Sequence, residues 1–510
     1  MLEYSCETLV IGGGSAGCAA VHSLLRSGVD DVVLAEAGPD HGPATAGGWH
    51  GDLLDARVVP ESHDWGYWSQ YGDRKTFAHA RAKVLGGCST FNEAHVVWGR
   101  PDEYDRWARL WDEPGWSWKG LRDDIDAVEL SEPASDFHGR AGMLETAPHD
   151  EAGLTQWSRG FLTGALEAGY ARLPDFGAPA AEGGVAIWRA NQRGTTRWNT
   201  AFAFLDPHRD DHRLRIVDGL TITGLRFRGD RAVAAHGMLR GQRVTIRARS
   251  FVLAAGAVGT PELLLRSGVG PAAALERLGI DVVSDVPAVG RGLTDHIGVS
   301  LAYQLTGTAD ETFRAELSAG PVPHCQTVAR VPLGSAEDGS FNLLPYERTF
   351  DGVHWVHALI AFLVTPASSG GVTLVSPDVR VPPRIDAGYL NDPDGRDLTR
   401  LRRGLGLIRE LVERSDHLRG LVLPGDDGPP AGGDLDSHIR QTFFSYGHLM
   451  SSCRIGTAAD RSAAATPDGR VKGLGNVVVA DASAIPGGFA AATHLTTMLF
   501  GYRLARSAVH

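Results

Sequence analysis

The sequence has very little lysine: four Lys stand beside 45 Arg, and these 49 basic residues are outnumbered by 61 acidic ones, for a net charge of −12. It has no dense basic stretch, which argues against a general nucleic-acid binder, because phosphate contacts need a basic face. No window holds about 18 uninterrupted apolar residues, so no membrane-spanning helix is expected. The five cysteines, Cys6, Cys18, Cys88, Cys325 and Cys453, are scattered and form no CxxC pair. Neither a disulfide framework nor a zinc site is implied, and no metal is expected. No basic and then apolar leader precedes the first strand pattern, so a cytoplasmic protein is expected. Internal repeats and low-complexity linkers are missing as well. What is present, 510 residues of which 43% are apolar and 22% charged, is the composition of a globular enzyme large enough for two cores.

The chain opens on an apolar run, Glu7 to Ile11, that stops at Gly12-Gly13-Gly14-Ser15-Ala16-Gly17 and continues as an apolar-periodic stretch, Cys18 to Arg26. Strand, glycine turn and helix are the implied order, and Asp31–Ala35 supplies a second strand to complete a βαβ unit. Short β-rich runs at Leu214–Val217, Leu220–Arg228 and Ala232–Met238 predict an antiparallel meander. The pattern from about Ser300 to Ile385 is strand-like, and Asp397–Arg414 is helical.

Each glycine of the turn has a physical task. Gly12 permits the tight bend, Gly14 lets backbone approach a pyrophosphate, and Gly17 lets helix and strand pack closely, with the helix N-terminus facing the phosphate charge. Glu36, at the end of the second strand, is placed to accept hydrogen bonds from an adenosine ribose and would repel a 2′-phosphate, which disfavours NADP. The turn alone does not separate FAD from NAD.

Two longer segments do. Arg81-Ala82-Lys83-Val84-Leu85-Gly86-Gly87-Cys88-Ser89-Thr90-Phe91-Asn92 and Gly256-Ala257-Val258-Gly259-Thr260-Pro261-Glu262-Leu263-Leu264-Leu265-Arg266-Ser267-Gly268-Val269-Gly270 resemble the signature segments of the glucose–methanol–choline oxidoreductases. Val289–His296 and Val478–Ser483 are similar to further stretches of that family, in the same order. The resemblance implies FAD lying extended across a Rossmann-like α/β domain (1–150, 205–299 and 441–510), interleaved with an α+β substrate domain (151–204 and 300–440) whose antiparallel sheet is covered by helices. It implies a cofactor site formed by Gly12, Gly14, Ser15, Ala16, Gly17, Glu36, Ala37, Arg81, Val84, Leu85, Gly86, Gly87, Ser89, Asn92, Glu93, Ile222, Ala255, Gly256, Asp481, Ala482, His494, Leu495 and Thr496. Phe91 occupies the position from which a His tethers the flavin in choline oxidases. A phenyl ring has no nucleophilic atom, so the FAD is expected to be non-covalent.

The segment Tyr446-Gly447-His448-Leu449-Met450-Ser451-Ser452-Cys453-Arg454-Ile455-Gly456 is similar to the family's HPxGTCRMG stretch, and Ala492-Thr493-His494-Leu495-Thr496-Thr497 to the stretch that supplies its second catalytic residue. Alcohol oxidation removes a hydroxyl proton and a hydride from the adjacent carbon, and imidazole offers a base near neutral pH. His448 is therefore expected as the base and His494 as its partner on the substrate oxygen. The last helix is expected to begin at about Thr496. A small-molecule alcohol and an electron acceptor, O2 or another, are the implied partners.

Glu93 facing the site would suit an amine-bearing substrate or anchor hydroxyls; turned away, it would meet an Arg or a backbone amide. Phe341, Tyr346, Glu347, His354, Trp355 and His357 fall in the variable substrate region, while Gly298 disfavours choline. His494 in place of Asn leans toward polyol, sugar or amino-sugar alcohols. The same scaffold carries hydroxynitrile lyases and photodecarboxylases, which is the alternative reading.

Overall fold

Leu9, Val10, Ile11 and Val32–Ala35 are apolar at consecutive positions and buried on both faces, as central strands of a parallel sheet require. In this computed structural model, which describes residues 2–72, 75–178, 183–334, 339–350, 354–429 and 433–509, Leu2–Ile11 pairs in parallel with Val32–Ala35 on one side and Gln242–Leu253 on the other. Leu214–Val217 lies parallel to Val32–Ala35 at the sheet edge. It is therefore part of the nucleotide-type sheet and not, as its pattern predicts, of the meander. The meander proper, Leu220–Arg228, Arg231–Leu239 and Gln242–Leu253, extends the same sheet in antiparallel fashion. The far end of Gln242–Leu253 also takes Val477–Val479 as a parallel neighbour.

A second, six-stranded sheet runs Phe444–Ser445, Ile297–Tyr303, His354–Leu363, Ser340–Phe350, Thr327–Pro332 and Gly184–Ile187, all antiparallel. Helix Arg396–Arg414 covers it, packing closely at Gly404, where a Cβ would stand 3.1 Å from the Phe341 ring and from Ala361 Cβ. The stretch expected to be strand throughout contains helix Gly307–Ser318. That helix buries only Ala309 and Phe313, a single apolar pair at i and i+4 too narrow to register as helical periodicity. The side chains of His354 and Trp355 lie outside the described residues. No helix among the described residues is long and apolar enough to cross a membrane.

One buried charge cluster anchors the segment Asn92–Trp98. Glu129, fully buried, accepts hydrogen bonds from Trp98 Nε1 (2.6 Å), Thr146 Oγ1 (2.6 Å), Gly139 N (2.9 Å) and His138 Nδ1 (2.9 Å). Asp175 forms an ion pair with the other ring nitrogen of His138 at 3.1 Å. Burial alone would lower the His138 pKa; Asp175 and Glu129 outweigh it and raise it to about 9. Because this lies above the unfolded value of about 6.5, the stabilisation is complete below about pH 6.5 and is lost as pH rises through 9. Between about pH 7 and about pH 10 the thermal midpoint should fall by a few degrees more in the wild type than in His138→Gln, as scanning calorimetry would record.

Candidate active site

Two helices start without side-chain caps and lie against each other. Ser15–Arg26 begins at Gly14 and Thr493–Leu504 at Ala492, and neither cap residue bonds the first turn through its side chain. Their first-turn amides therefore leave a positive potential unanswered by protein side chains. Gly501 allows the approach, since a Cβ on it would lie 2.1 Å from the Ala16 carbonyl oxygen. Gly12 takes φ +101° and Gly17 sits so close to Gly12 that a Cβ would fall 1.8 Å from its carbonyl oxygen. A second glycine turn closes over the first: Gly86 N donates to Gly13 O at 2.7 Å, and a Cβ on Gly87 would reach Gly14 Cα at 2.5 Å. Leu85 is buried beneath it and Val84 beside it.

Glu36 is buried at the end of strand Val32–Ala35, next to Ala37, and burial pushes its carboxyl up to about 7. It accepts Gly13 N on one oxygen and Gly38 N on the other, both at 2.7 Å. A carboxylate offers about four acceptor positions, so two remain for hydroxyls of a bound molecule. Ile222 stands on the strand whose first residue, Leu220, donates to the Glu36 carbonyl at 2.8 Å. Asp481 differs. Its two oxygens already accept Gly256 N (2.8 Å), Thr260 Oγ1 (2.5 Å), Ser483 N (2.8 Å) and Ser483 Oγ (2.6 Å). That carboxylate is saturated by protein and fixes the helix that starts after Ala255, leaving only backbone at Asp481 and Ala482 for a ligand. Ser89 is likewise spent on its own turn, bonded to Gly86 O and Thr200. Arg81 holds the segment before His448 through Gly447 O at 2.9 Å.

The protonation state of His448 follows from its neighbours. His296 Nε2 stands 2.8 Å from the Phe489 carbonyl oxygen, which can only accept, so Nε2 carries the proton and Nδ1 of this neutral ring carries a lone pair. His448 Nδ1 lies 2.9 Å from that lone pair and must donate to it. The lone pair of His448 is thereby left on Nε2. Burial, then His296 and Arg81, hold the His448 pKa well below the ordinary imidazole value. Asp295 fixes the backbone by accepting His448 N at 2.7 Å, and is itself held by Tyr389 Oη (2.7 Å) and Ser445 Oγ.

His494 is the complement. Asn92 Oδ1 accepts Ala94 N at 3.2 Å, which turns the Asn92 amide nitrogen to His494 Nδ1 at 3.1 Å. His494 Nδ1 accepts, so its proton is on Nε2, a buried donor with no partner among the described residues. Burial lowers its pKa to about 4. The helix starts at Thr493, three residues before the expected Thr496, which puts His494 in the amide-rich first turn; Leu495 and Thr496 are buried, with Thr496 Oγ1 bonded to Tyr104 Oη at 2.7 Å. Tyr446, stacked on Phe362 at 3.6 Å and packed on His448 at 4.2 Å, is close enough to Glu93 for that charge to act on its hydroxyl. Glu93 adjoins Asn92, so a run of neighbours, Asn92, Glu93 and Tyr446, links His494 to His448.

Glu93 itself accepts Tyr346 Oη, lies 3.6 Å from His95 Nδ1, and lines a cavity of about 200 Å³ with His149, His324 and Gln326. His95 stacks on Trp188 at 5.0 Å, and Trp98 is buried. His296 was not foreseen as part of the site; its signal was the Asp-His pair after Gly-Arg-Gly-Leu-Thr. Nitrogen-15 spectra of histidine-labelled protein should show His448 as the Nδ1–H tautomer and His296 as Nε2–H at about pH 7, both neutral because burial holds each imidazole below its ordinary pKa.

Family profiles of the GMC oxidoreductases match residues 6–298 and 366–501. The chain is 28% identical to choline oxidase of Arthrobacter globiformis, across 98% of this chain and 93% of that one. It is also 28% identical to 5-(hydroxymethyl)furfural oxidase of Methylovorus sp., across 99% of both. The solved structure of pyridoxine 4-oxidase from Mesorbium loti has the same fold, with a TM-score of 0.87 at 24% identity over 99% of each chain. The chain therefore belongs to the GMC oxidoreductase family and is an FAD-dependent oxidoreductase.

Proposed function

We propose that the chain oxidises a primary or secondary alcohol to the aldehyde or ketone, with His448 as base and His494 as donor to the substrate oxygen. The observation that carries this reading is the pairing of tautomers: His448 Nε2 is a lone pair, and His494 Nε2 a proton without a partner. A carbinol oxygen needs both, donating its proton to the first and accepting from the second. Two uncapped helix starts, the free acceptor positions of Glu36 and the apposed glycine turns fit FAD, with the amides of Ser15, Ala16 and Gly17 for the pyrophosphate and Glu36 for the ribose. Bound there, FAD supplies the hydride acceptor, isoalloxazine N5. As the C–H bond breaks, His448 Nε2 would take the O–H proton, His494 Nε2 would hold the carbonyl oxygen that forms, and the first turn of Thr493–Leu504 would offer its amides to the negative charge the cofactor takes up. Phe91 packs beside Trp49, Val84 and Phe202 and offers no bond to the flavin; acid precipitation should release all the FAD into the supernatant.

The polar cavity beside Glu93 supports a polyol, sugar or amino-sugar substrate. On anaerobic mixing with such alcohols the flavin band should bleach; product formed with the band intact would replace this reading by a lyase. His448→Ala should lower kcat/KM by about 10²–10⁴ with FAD content unchanged. Glu93→Gln should raise KM for amine-bearing alcohols by about tenfold and spare neutral polyols if the carboxylate meets a cation; equal effects on both would assign it to hydroxyl binding.

A further inference from the structure

We propose that His41, His50 and His63 bind one divalent transition-metal ion, of the zinc, nickel or cobalt class, outside the catalytic centre. Each offers one ring nitrogen, and the three lie within 4.8 Å of one another. Zinc–imidazole bonds of about 2.1 Å place tetrahedral ligand atoms about 3.4 Å apart. His41 Nε2 and His63 Nε2, 3.1 Å apart, already have that spacing. His50 is exposed, and its ring, 4.7 Å from that of His63 and 5.3 Å from that of His41, is free to close the remaining gap.

Two features prepare the cluster. Ser62 Oγ lies 2.8 Å from His63 Nδ1, and the Ser62 amide donates to Asp52 at 3.2 Å, which holds that residue in place. With Nδ1 so partnered, Nε2 is the nitrogen of His63 that faces His41, and orienting partners of this kind commonly support metal-ligating histidines. His63 also holds φ +60°, a left-handed conformation that histidine, like asparagine and aspartate, adopts more readily than most side chains. Three imidazoles with no carboxylate or thiolate among them select borderline metals over calcium or magnesium, and leave further positions to water.

The ion would join two segments that flank the nucleotide cradle. Pro39 O, two residues before His41, accepts Leu85 N at 3.0 Å, and His63 O accepts Lys83 N at 2.6 Å. A metal here clamps the chain leaving Glu36 to the chain entering the Gly86-Gly87 turn. The site is independent of the redox reading, since none of its ligands belongs to the catalytic pair.

The test titrates Zn²⁺ calorimetrically into the chelator-stripped, full-length holoenzyme. One equivalent per chain is expected, with affinity lowered on the order of 100-fold in His50→Ala and in His63→Asn, the latter chosen because asparagine tolerates the left-handed backbone. The thermal midpoint should rise with Zn²⁺ in the wild type and not in either variant, while the flavin content of both stays at the wild-type level. No saturable binding, or wild-type isotherms in both variants, would overturn the proposal.

Discussion

A single backbone carbonyl decides the chemistry of this protein. Phe489 O cannot donate, so it fixes the proton of His296 on Nε2; His296 then fixes the proton of His448 on Nδ1, and the lone pair of His448 is left on Nε2. Each link is a hydrogen bond whose direction follows from the link before. Without the carbonyl, both rings could exchange tautomers, and His448 would carry a proton on Nε2 for part of the time. Phe489 precedes the helix that carries His494 by a few residues, so one segment both orients the His448 ring, through His296, and leads into the helix that carries His494.

The second constraint is the crossing of two helices with uncapped first turns. Capping residues would have neutralised these amides more cheaply, yet Gly14 and Ala492 stand where Ser, Thr, Asp or Asn would serve. Small residues at the crossing, Ala16 against Gly501, bring the helices close, and the Gly86-Gly87 turn folds over the first of them. Local stability is thereby given up at the place where an anionic cofactor restores it.

Much of this was legible in the sequence because glycine and motif order report backbone constraints directly. The turn Gly12–Gly17, Glu36 after a four-residue strand, and both histidine segments carry signals that survive without coordinates. Other features did not. Leu214–Val217 has the same alternating, β-rich character as the strands that follow it, and only the three-dimensional register shows it beside Val32–Ala35. Helix Gly307–Ser318 is polar around most of its circumference and so leaves no periodic trace. The resemblance places Asp481 at the cofactor, and no sequence signal shows that its carboxylate accepts four donors, two from Gly256 and Thr260 and two from Ser483. His41, His50 and His63 have no regular ligand spacing, and the loop that gathers them is invisible until folded.

The depressed basicity of His448 bears on how the reaction is timed. A buried imidazole resists charge, and Asp295, which bonds the backbone of residue 448, is occupied by that amide, Tyr389 and Ser445. Proton transfer alone would therefore place an imidazolium in a dry site beside a new alkoxide, with His494 as the donor to share its charge. Hydride departure removes the alkoxide charge and delivers an electron pair nearby, which supplies the counter-charge that the protein withholds. On the proposed reading, loss of the proton and of the hydride would be closely coupled events, and desolvation of His448, which would slow a simple deprotonation, keeps its imidazole neutral at ordinary pH.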